Sequence, residues 1–364
     1  CDWPKARPLF TQWLNDRDAV PTQLEIAARI FLDRKDRELA SIALTRLTEP
    51  QLGASSAMPA PPSPRIKALQ ARLAHLKGET RAATAQLDQL EKARALPDLE
   101  LASLWEAVEQ PERAEPLLQR AAQARDATGP LARGQLAGFL ARQGQAAEAF
   151  DRLKKGLDEF PNPVITDLVG QLLDPRSGAD EAILNELESI INARLKREGP
   201  NGLIDFGLAL ALLRDARGRH AEAAATYREI LHLQPDNFVV LNNLAFLQAL
   251  GADGTLAEAR RNIERAMNFS RRVGDLMDTR GFVLLKQGEA DSAIQVLLKV
   301  VGDRDDPVAL YHLARACEVA NRLEEARNWL KEAEAKGFKP ELLHPLERPE
   351  LDQLRDRLRN GAPR

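Results

Sequence analysis

One alanine recurs along this chain at a nearly constant interval, and that interval limits the fold more than any other feature. The segment Gly218-Arg219-His220-Ala221-Glu222-Ala223-Ala224-Ala225-Thr226-Tyr227 has relatives at Thr255-Leu256-Ala257-Glu258-Ala259-Arg260, Gly288-Glu289-Ala290-Asp291-Ser292-Ala293-Ile294 and Asn321-Arg322-Leu323-Glu324-Glu325-Ala326-Arg327. Aligned on the shared alanine, they place Ala223, Ala259, Ala293 and Ala326 at successive separations of 36, 34 and 33 residues. A unit of about 34 residues cannot bury its apolar face alone, so copies have to stack. Upstream the alanine continues through Ala182, Ala149, Ala114, Ala83 and Ala40 to Ala6, with the fit loosening at Ala114 and Ala182. Two longer intervals hold an insert, Gly53 to Pro64, and an irregular stretch around Asp174-Pro175-Arg176-Ser177-Gly178.

Each unit reads as two helices. Between about Ile204 and Asn237 the first apolar face is Gly207, Leu210 and Ala211, with Arg214 at its solvated end. Gly218 breaks this helix, because glycine enters the left-handed region without a Cβ penalty. The second helix carries Ala223, Tyr227 and Ile230 on one face, and Pro235-Asp236-Asn237 stops it and caps the next. Small residues recur because a large side chain at a close helix crossing would push the axes apart. On this reading Ala211 faces Ala223, Ala245 faces Ala259, Gly281 faces Ala293, and Ala314 faces Ala326.

Composition agrees with a helical array. The chain has 364 residues, more than one ordinary core organises, and is rich in helix formers, with aromatics at only 5%. Its 51 Lys and Arg against 54 Asp and Glu give a net charge of −3 with both signs interspersed, so no basic stripe offers itself to nucleic acid. The apolar stretches around Leu203 to Leu213 and Phe238 to Leu250 are broken by Asp205, Asn242 and Asn243 and are too short to span a membrane. Cys1 and Cys317 cannot build a disulfide framework, and the compartment is left open.

The phased residues resemble the tetratricopeptide repeat, whose motif runs large residue, Leu-Gly or Leu-Ala, Gly, Ala, aromatic, Ala and Pro. The match is Leu210-Ala211, Gly218, Ala223, Tyr227 and Pro235, then Leu241, Leu244-Ala245, Ala259 and Ala266, then Leu310, Leu313-Ala314, Ala326 and Ala333. Leu136-Ala137, Gly144, Ala149 and Pro161 repeat it upstream. The resemblance implies an all-α, right-handed α-α superhelix of helix-turn-helix repeats. Its expected parts are the second half of a truncated repeat over residues 1–20, a degenerate repeat over 21–52 and the proline-rich insert over 53–64. Two degenerate repeats over 65–129, a repeat over 130–163 and an irregular one over 164–203 follow. Four repeats over 204–340 and a capping segment over 341–364 complete it. The half-repeat at the start suggests a piece of a longer bacterial chain; a lipoprotein beginning at Cys1 is the competing reading.

In the family the first helix of each repeat lines the concave side and holds peptides or helices of a protein partner. Carried over by phase, the partner-binding residues are Asn242, Asn243 and Phe246 in one repeat, Asp278, Thr279, Phe282 and Lys286 in the next, and Tyr311, His312 and Arg315 in the last. Asn243 stands out because an amide donates and accepts at once, as a peptide backbone requires. The alternative is that these residues form only a solvated helix face. The Lys and Asn, then Lys and Arg, with which some members clamp a terminal carboxylate are not found in phase.

No chemistry competes with binding. The histidines, His75, His220, His232, His312 and His344, are scattered without metal-ligand spacing, and phosphate-loop, dinucleotide and nucleophile-elbow motifs are missing, so no cofactor, metal or catalytic residue is expected. Cys317 falls on a packed face as a small hydrophobe. Glu324 and Glu325 suit a helix start, and the prolines at 59–64 read as a loop before a polyproline ligand. The expected function is therefore a protein-interaction scaffold. The alternatives are a regulatory or sensing region of an enzyme or signalling protein whose catalytic domain lies upstream, and RNA binding by helical repeats, which the neutral charge disfavours.

Overall fold

The structure of the chain, a computed structural model, describes residues 3–16, 19–48, 62–270, 273–303 and 306–360. Cys1 and residues 53–61 of the proline-rich insert lie outside the described residues. Among the described residues there are twenty α-helices, two 3-10 turns and no strand. They divide into two compact units, one built on residues 5–179 and one on residues 180–360. Each is an all-α superhelix of helical repeats.

In the first unit α1 (Trp3–Asn15) precedes the hairpins α2 (Pro21–Asp33) with α3 (Arg37–Thr48), α4 (Pro64–Leu76) with α5 (Thr80–Lys92), α6 (Asp98–Ala107) with α7 (Pro111–Ala122) and α8 (Thr128–Arg142) with α9 (Ala146–Gly156). α10 (Asn162–Leu173) packs on α8 and ends in a 3-10 turn. In the second unit α11 (Glu181–Glu198) packs on α12 (Pro200–Ala216), which pairs with α13 (His220–Leu233). The hairpins α14 (Phe238–Ala249) with α15 (Leu256–Phe269), α16 (Val273–Lys286) with α17 (Ala290–Asp303) and α18 (Pro307–Val319) with α19 (Leu323–Ala335) follow. A 3-10 turn, Pro340–Leu342, then leads to α20 (Arg348–Asn360).

The helices start and stop where local chemistry permits. Asn237 accepts from the Val240 N–H, Asp306 from the Val308 and Ala309 N–H groups, and Thr255 and Glu258 cap each other. Gly218 ends α12 at φ 75°, in the left-handed region, as its spacing predicts. Asn321 takes the same conformation at φ 60° after α18, without glycine's freedom.

The small residues meet at the crossings. Ala40, Ala83, Ala114, Ala149, Ala223, Ala259, Ala293 and Ala326 have no accessible surface, and neither do their first-helix counterparts Ala28, Ala71, Ala102, Ala137, Ala211, Ala245 and Ala314. Ala114, where the repeat pattern loosens, is thus in phase. Ala182 is not: it is exposed at the start of α11, a longer helix serving α12 rather than closing a hairpin with α10. Arg214 also differs from its expected solvated role. It is half-buried and donates to Thr226 Oγ1 at 2.6 Å, tying α12 to α13.

At Gly281 the space a side chain would need is taken by Leu297. A Cβ there would lie 2.6 Å from Leu297 Cδ2 and Cγ, and Leu297 is itself fully buried. At Gly218 a Cβ would meet nothing within 4 Å. Gly281→Ala should therefore lower stability through overpacking by about 1–3 kcal/mol, against which alanine's better helix propensity returns roughly 1 kcal/mol. Gly218→Ala should cost about 1–2 kcal/mol from backbone strain alone. Urea unfolding of both variants tests the distinction, and adding Leu297→Ala should rescue only the Gly281 variant.

Candidate functional site

The first helices α14, α16 and α18 pack side by side, and the chain's own C-terminal segment lies against their shared face. Phe246 on α14, Phe282 on α16 and His312 on α18 form a row of rings, with centroids 5.1 Å apart for the first pair and 5.0 Å for the second. His344, just beyond the 3-10 turn, sets its ring edge-on to Phe246 at 5.9 Å. Phe338 stacks on Tyr311 at 5.1 Å, and Leu343, Leu351, Leu354 and Leu358 join the core of the last hairpin.

Charged groups hold the same segment. His312 is fully buried between two carboxylates, its Nδ1 2.8 Å from Asp278 Oδ1 and its Nε2 2.9 Å from buried Glu347 Oε1. Burial alone would push this imidazole toward the neutral form. The two acids overcome that and raise its pKa to about 10, so it is an imidazolium at neutral pH. Glu350 pairs with Lys286 and, at 3.3 Å, with Arg315, which also donates to Glu318 at 2.5 Å; Glu318 in turn pairs with Arg357 of α20.

These contacts decide the state of the ten residues expected to meet a partner. Tyr311, His312 and Arg315 are buried, and so are Phe282 and Thr279. Asp278 and Lys286 are half-buried and engaged, Asp278 with His312 and Lys286 with Glu350. Asn242, Asn243 and Phe246 remain partly accessible. Asn243 Nδ2 reaches the Tyr227 hydroxyl at 3.5 Å, while Asn242 Oδ1 has no hydrogen-bond partner among the described residues. Cys317 is buried, and burial pushes its thiol up to about 11, as suits a packing residue.

The structure also corrects the reading of the histidines as scattered. His220 Nδ1 lies 2.6 Å and His344 Nε2 3.2 Å from Asp215 Oδ1, and the two rings are 5.0 Å apart. Burial would raise the Asp215 carboxyl, but hydrogen bonds from His344 and His220 hold it below the usual range. His344 is 129 residues from Asp215, a separation that no local spacing rule detects.

Further open concavities lie in the first unit. One of about 650 Å³ is lined by α2, α4 and α6, including Arg29, Arg65, Arg72 and Glu100. Another of about 450 Å³ is lined by α6, α8 and α10, including Glu106, Arg142, Asp167 and Gln171. Ser103 and its turn of α6 border both.

Residues 284–346, from the end of α16 into the C-terminal segment, match the tetratricopeptide repeat family. Over that stretch the chain carries a tetratricopeptide repeat. Solved structures similar to it include a tetratricopeptide repeat protein from Parabacteroides merdae, at 17% identity and TM-score 0.47 over 71% of this chain and 96% of that one. The APC/C hetero-tetramer Cut9–Hcn1 is similar at 12% identity and TM-score 0.35, over 92% and 78%. No curated protein matches the chain in sequence. Tetratricopeptide repeats generally mediate protein–protein interaction and are typically non-catalytic. Among the described residues of this repeat protein no helix is long and apolar enough to cross a membrane.

Two measurements test how the repeat face holds its tail. The folded state keeps the His312 proton up to about pH 10, against about 6.5 when unfolded. Its stabilisation is therefore complete below about pH 6.5 and is lost as pH rises toward 10, at up to about 1.4 kcal/mol per pH unit. His312→Gln should be less stable at pH 6.5 and show a shallower decline to pH 9 in urea unfolding. The buried Tyr311 hydroxyl has no hydrogen-bond partner among the described residues. Tyr311→Phe should accordingly leave the thermal midpoint unchanged or raise it, by up to about 1 kcal/mol in stability; a loss of that size would mean that the hydroxyl is bonded.

Proposed function

We propose that this repeat protein is a scaffold that holds an extended or helical segment of another protein along the first-helix face of its N-terminal unit, with Asn242, Asn243 and Phe246 as a second contact. The observation that carries this reading is that the two concavities of the first unit share a border at Ser103. Together they offer a channel past α2, α4, α6, α8 and α10. A peptide needs such a channel, with apolar walls and polar groups spaced along it.

The channel carries both signs of charge, which favours a mixed-charge segment over a nucleic acid. Arg142 pairs with Glu106 at 2.9 Å and Arg72 with Asp33 at 2.7 Å, whereas Arg65 and Glu100 make no ion pair among the described residues. These exposed pairs contribute little to stability, so a partner exchanges them at small cost. Tyr311, His312 and Arg315 are not in the proposed contact, because the C-terminal segment occupies them.

Ser103 is exposed, so Ser103→Arg should fold normally while obstructing the channel. Peptides selected from a random displayed library by the wild-type chain should bind Ser103→Arg at least about tenfold more weakly, a loss of about 1.4 kcal/mol or more. Circular dichroism checks that helicity is equal. Undiminished binding removes the channel from consideration, and loss instead in Asn243→Ala transfers the site to the second unit.

A further inference from the structure

We propose that Asp215, His220 and His344 form a site for a divalent transition-metal ion, with zinc as its preferred occupant, that fastens the C-terminal segment to the α12–α13 hairpin. Three features of the cluster carry this. The donor set is two imidazoles and one carboxylate, which suits zinc and its neighbours in the transition series and not the all-oxygen chemistry of calcium or magnesium. One oxygen or nitrogen from each residue lies within 4.8 Å of the others. The three come from separate places in the fold, the end of α12, the start of α13 and the loop before α20, so they converge through tertiary structure rather than as neighbours on one helix.

The dimensions can be checked against a tetrahedral centre. Metal bonds of about 2.0–2.1 Å at tetrahedral angles separate ligand atoms by roughly 3.3 Å. His344 Nε2 and Asp215 Oδ1 are already 3.2 Å apart, while His220 Nδ1 and Asp215 Oδ1, at 2.6 Å, must open by about 0.7 Å. That opening exchanges the proton between His220 and Asp215 for the ion. The side chains are 18%, 15% and 12% exposed, so water can supply a fourth ligand.

The tautomer of His344 changes with occupancy. Without metal, its Nδ1 accepts the Leu346 N–H at 3.2 Å, so a neutral ring carries its proton on Nε2, toward Asp215. When Nε2 binds zinc the proton belongs on Nδ1, and the Leu346 contact must be released. Metal binding therefore reorganises the loop between the 3-10 turn and α20, next to Glu347 and its partner His312. This site goes beyond the scaffold reading: zinc would set how firmly the segment covers the second unit's face, whether or not the first unit's channel binds peptides.

The test uses the full chain, stripped with a chelator and titrated with zinc alone. Wild type should take up one equivalent, with its thermal midpoint rising by several degrees in large excess of zinc. Cobalt in place of zinc should give the intense visible absorption of a four-coordinate ion. His220→Ala and His344→Gln should lose the stoichiometric uptake, the midpoint shift and the cobalt band. Glutamine keeps an amide donor for Asp215, so His344→Gln should melt close to wild type without metal, which separates loss of a ligand from loss of fold. His232→Ala, at an exposed position on α13, should behave as wild type. No stoichiometric uptake by wild type, or uptake that persists in both cluster variants, would overturn the proposal.

Discussion

The separation of the two helices in each hairpin is set by side chains no larger than a methyl group. Ala28 with Ala40, Ala71 with Ala83, Ala102 with Ala114, Ala137 with Ala149 and Ala211 with Ala223 are fully buried pairs of one spacing, and Ala314 with Ala326 continues it. A methyl at the crossing lets the axes approach and the longer side chains interlock above and below it. Ala245 and Ala259 lie two residues further apart, and the extra length is taken up in the turn containing Gly251 and Gly254, both at positive φ. Once each hairpin has this thickness, the next stacks at a fixed offset and the first helices share one face.

This local constraint explains how much of the fold was legible in the sequence. Helix pairs, glycine turns and small crossing residues are short-range features that repeat, so one clear copy interprets its weaker relatives. The repeat alignment was least informative where another structure performs the same task. Lys35, Arg94, Glu109 and Asn321 adopt positive φ without glycine, because packing of the flanking helices outweighs a backbone cost of roughly 1–2 kcal/mol. Ala182 matches the alanine by position and is nevertheless exposed, because α11 has a different partner. Gly281 reads as half of a glycine-alanine pair, yet the group that excludes a Cβ is the Leu297 side chain one turn further along α17.

The site was legible in part, for a different physical reason. Phase alone assigns Tyr311, His312 and Arg315 to the first-helix face, but it carries no information on what lies over that face. The covering segment follows α19 and has no repeat pattern of its own, and its hydrogen bonds to the first helices join residues 35 to 129 positions apart. A histidine flanked by apolar residues reads equally as a core residue or an exposed one. It becomes an imidazolium here only because Asp278 and Glu347 reach it from different elements.

Burying His312, Glu347, Arg315 and Glu318 also constrains what the C-terminal segment can do. Removing such groups from water is expensive, and their mutual attraction compensates only when every partner is in place. An apolar cap would cover the same hairpin and tolerate sliding. The charged one does not, because a shift of one residue would separate Glu347 from His312 and Glu350 from both Lys286 and Arg315 at once. The network thus fixes the register of the segment as well as its presence. A protein partner competing for this face would have to replace several carboxylates together in the same spacing, whereas one using the first unit's channel displaces only exposed pairs. That difference in desolvation and register, rather than any difference in repeat sequence, is what supports the contact proposed for the first unit.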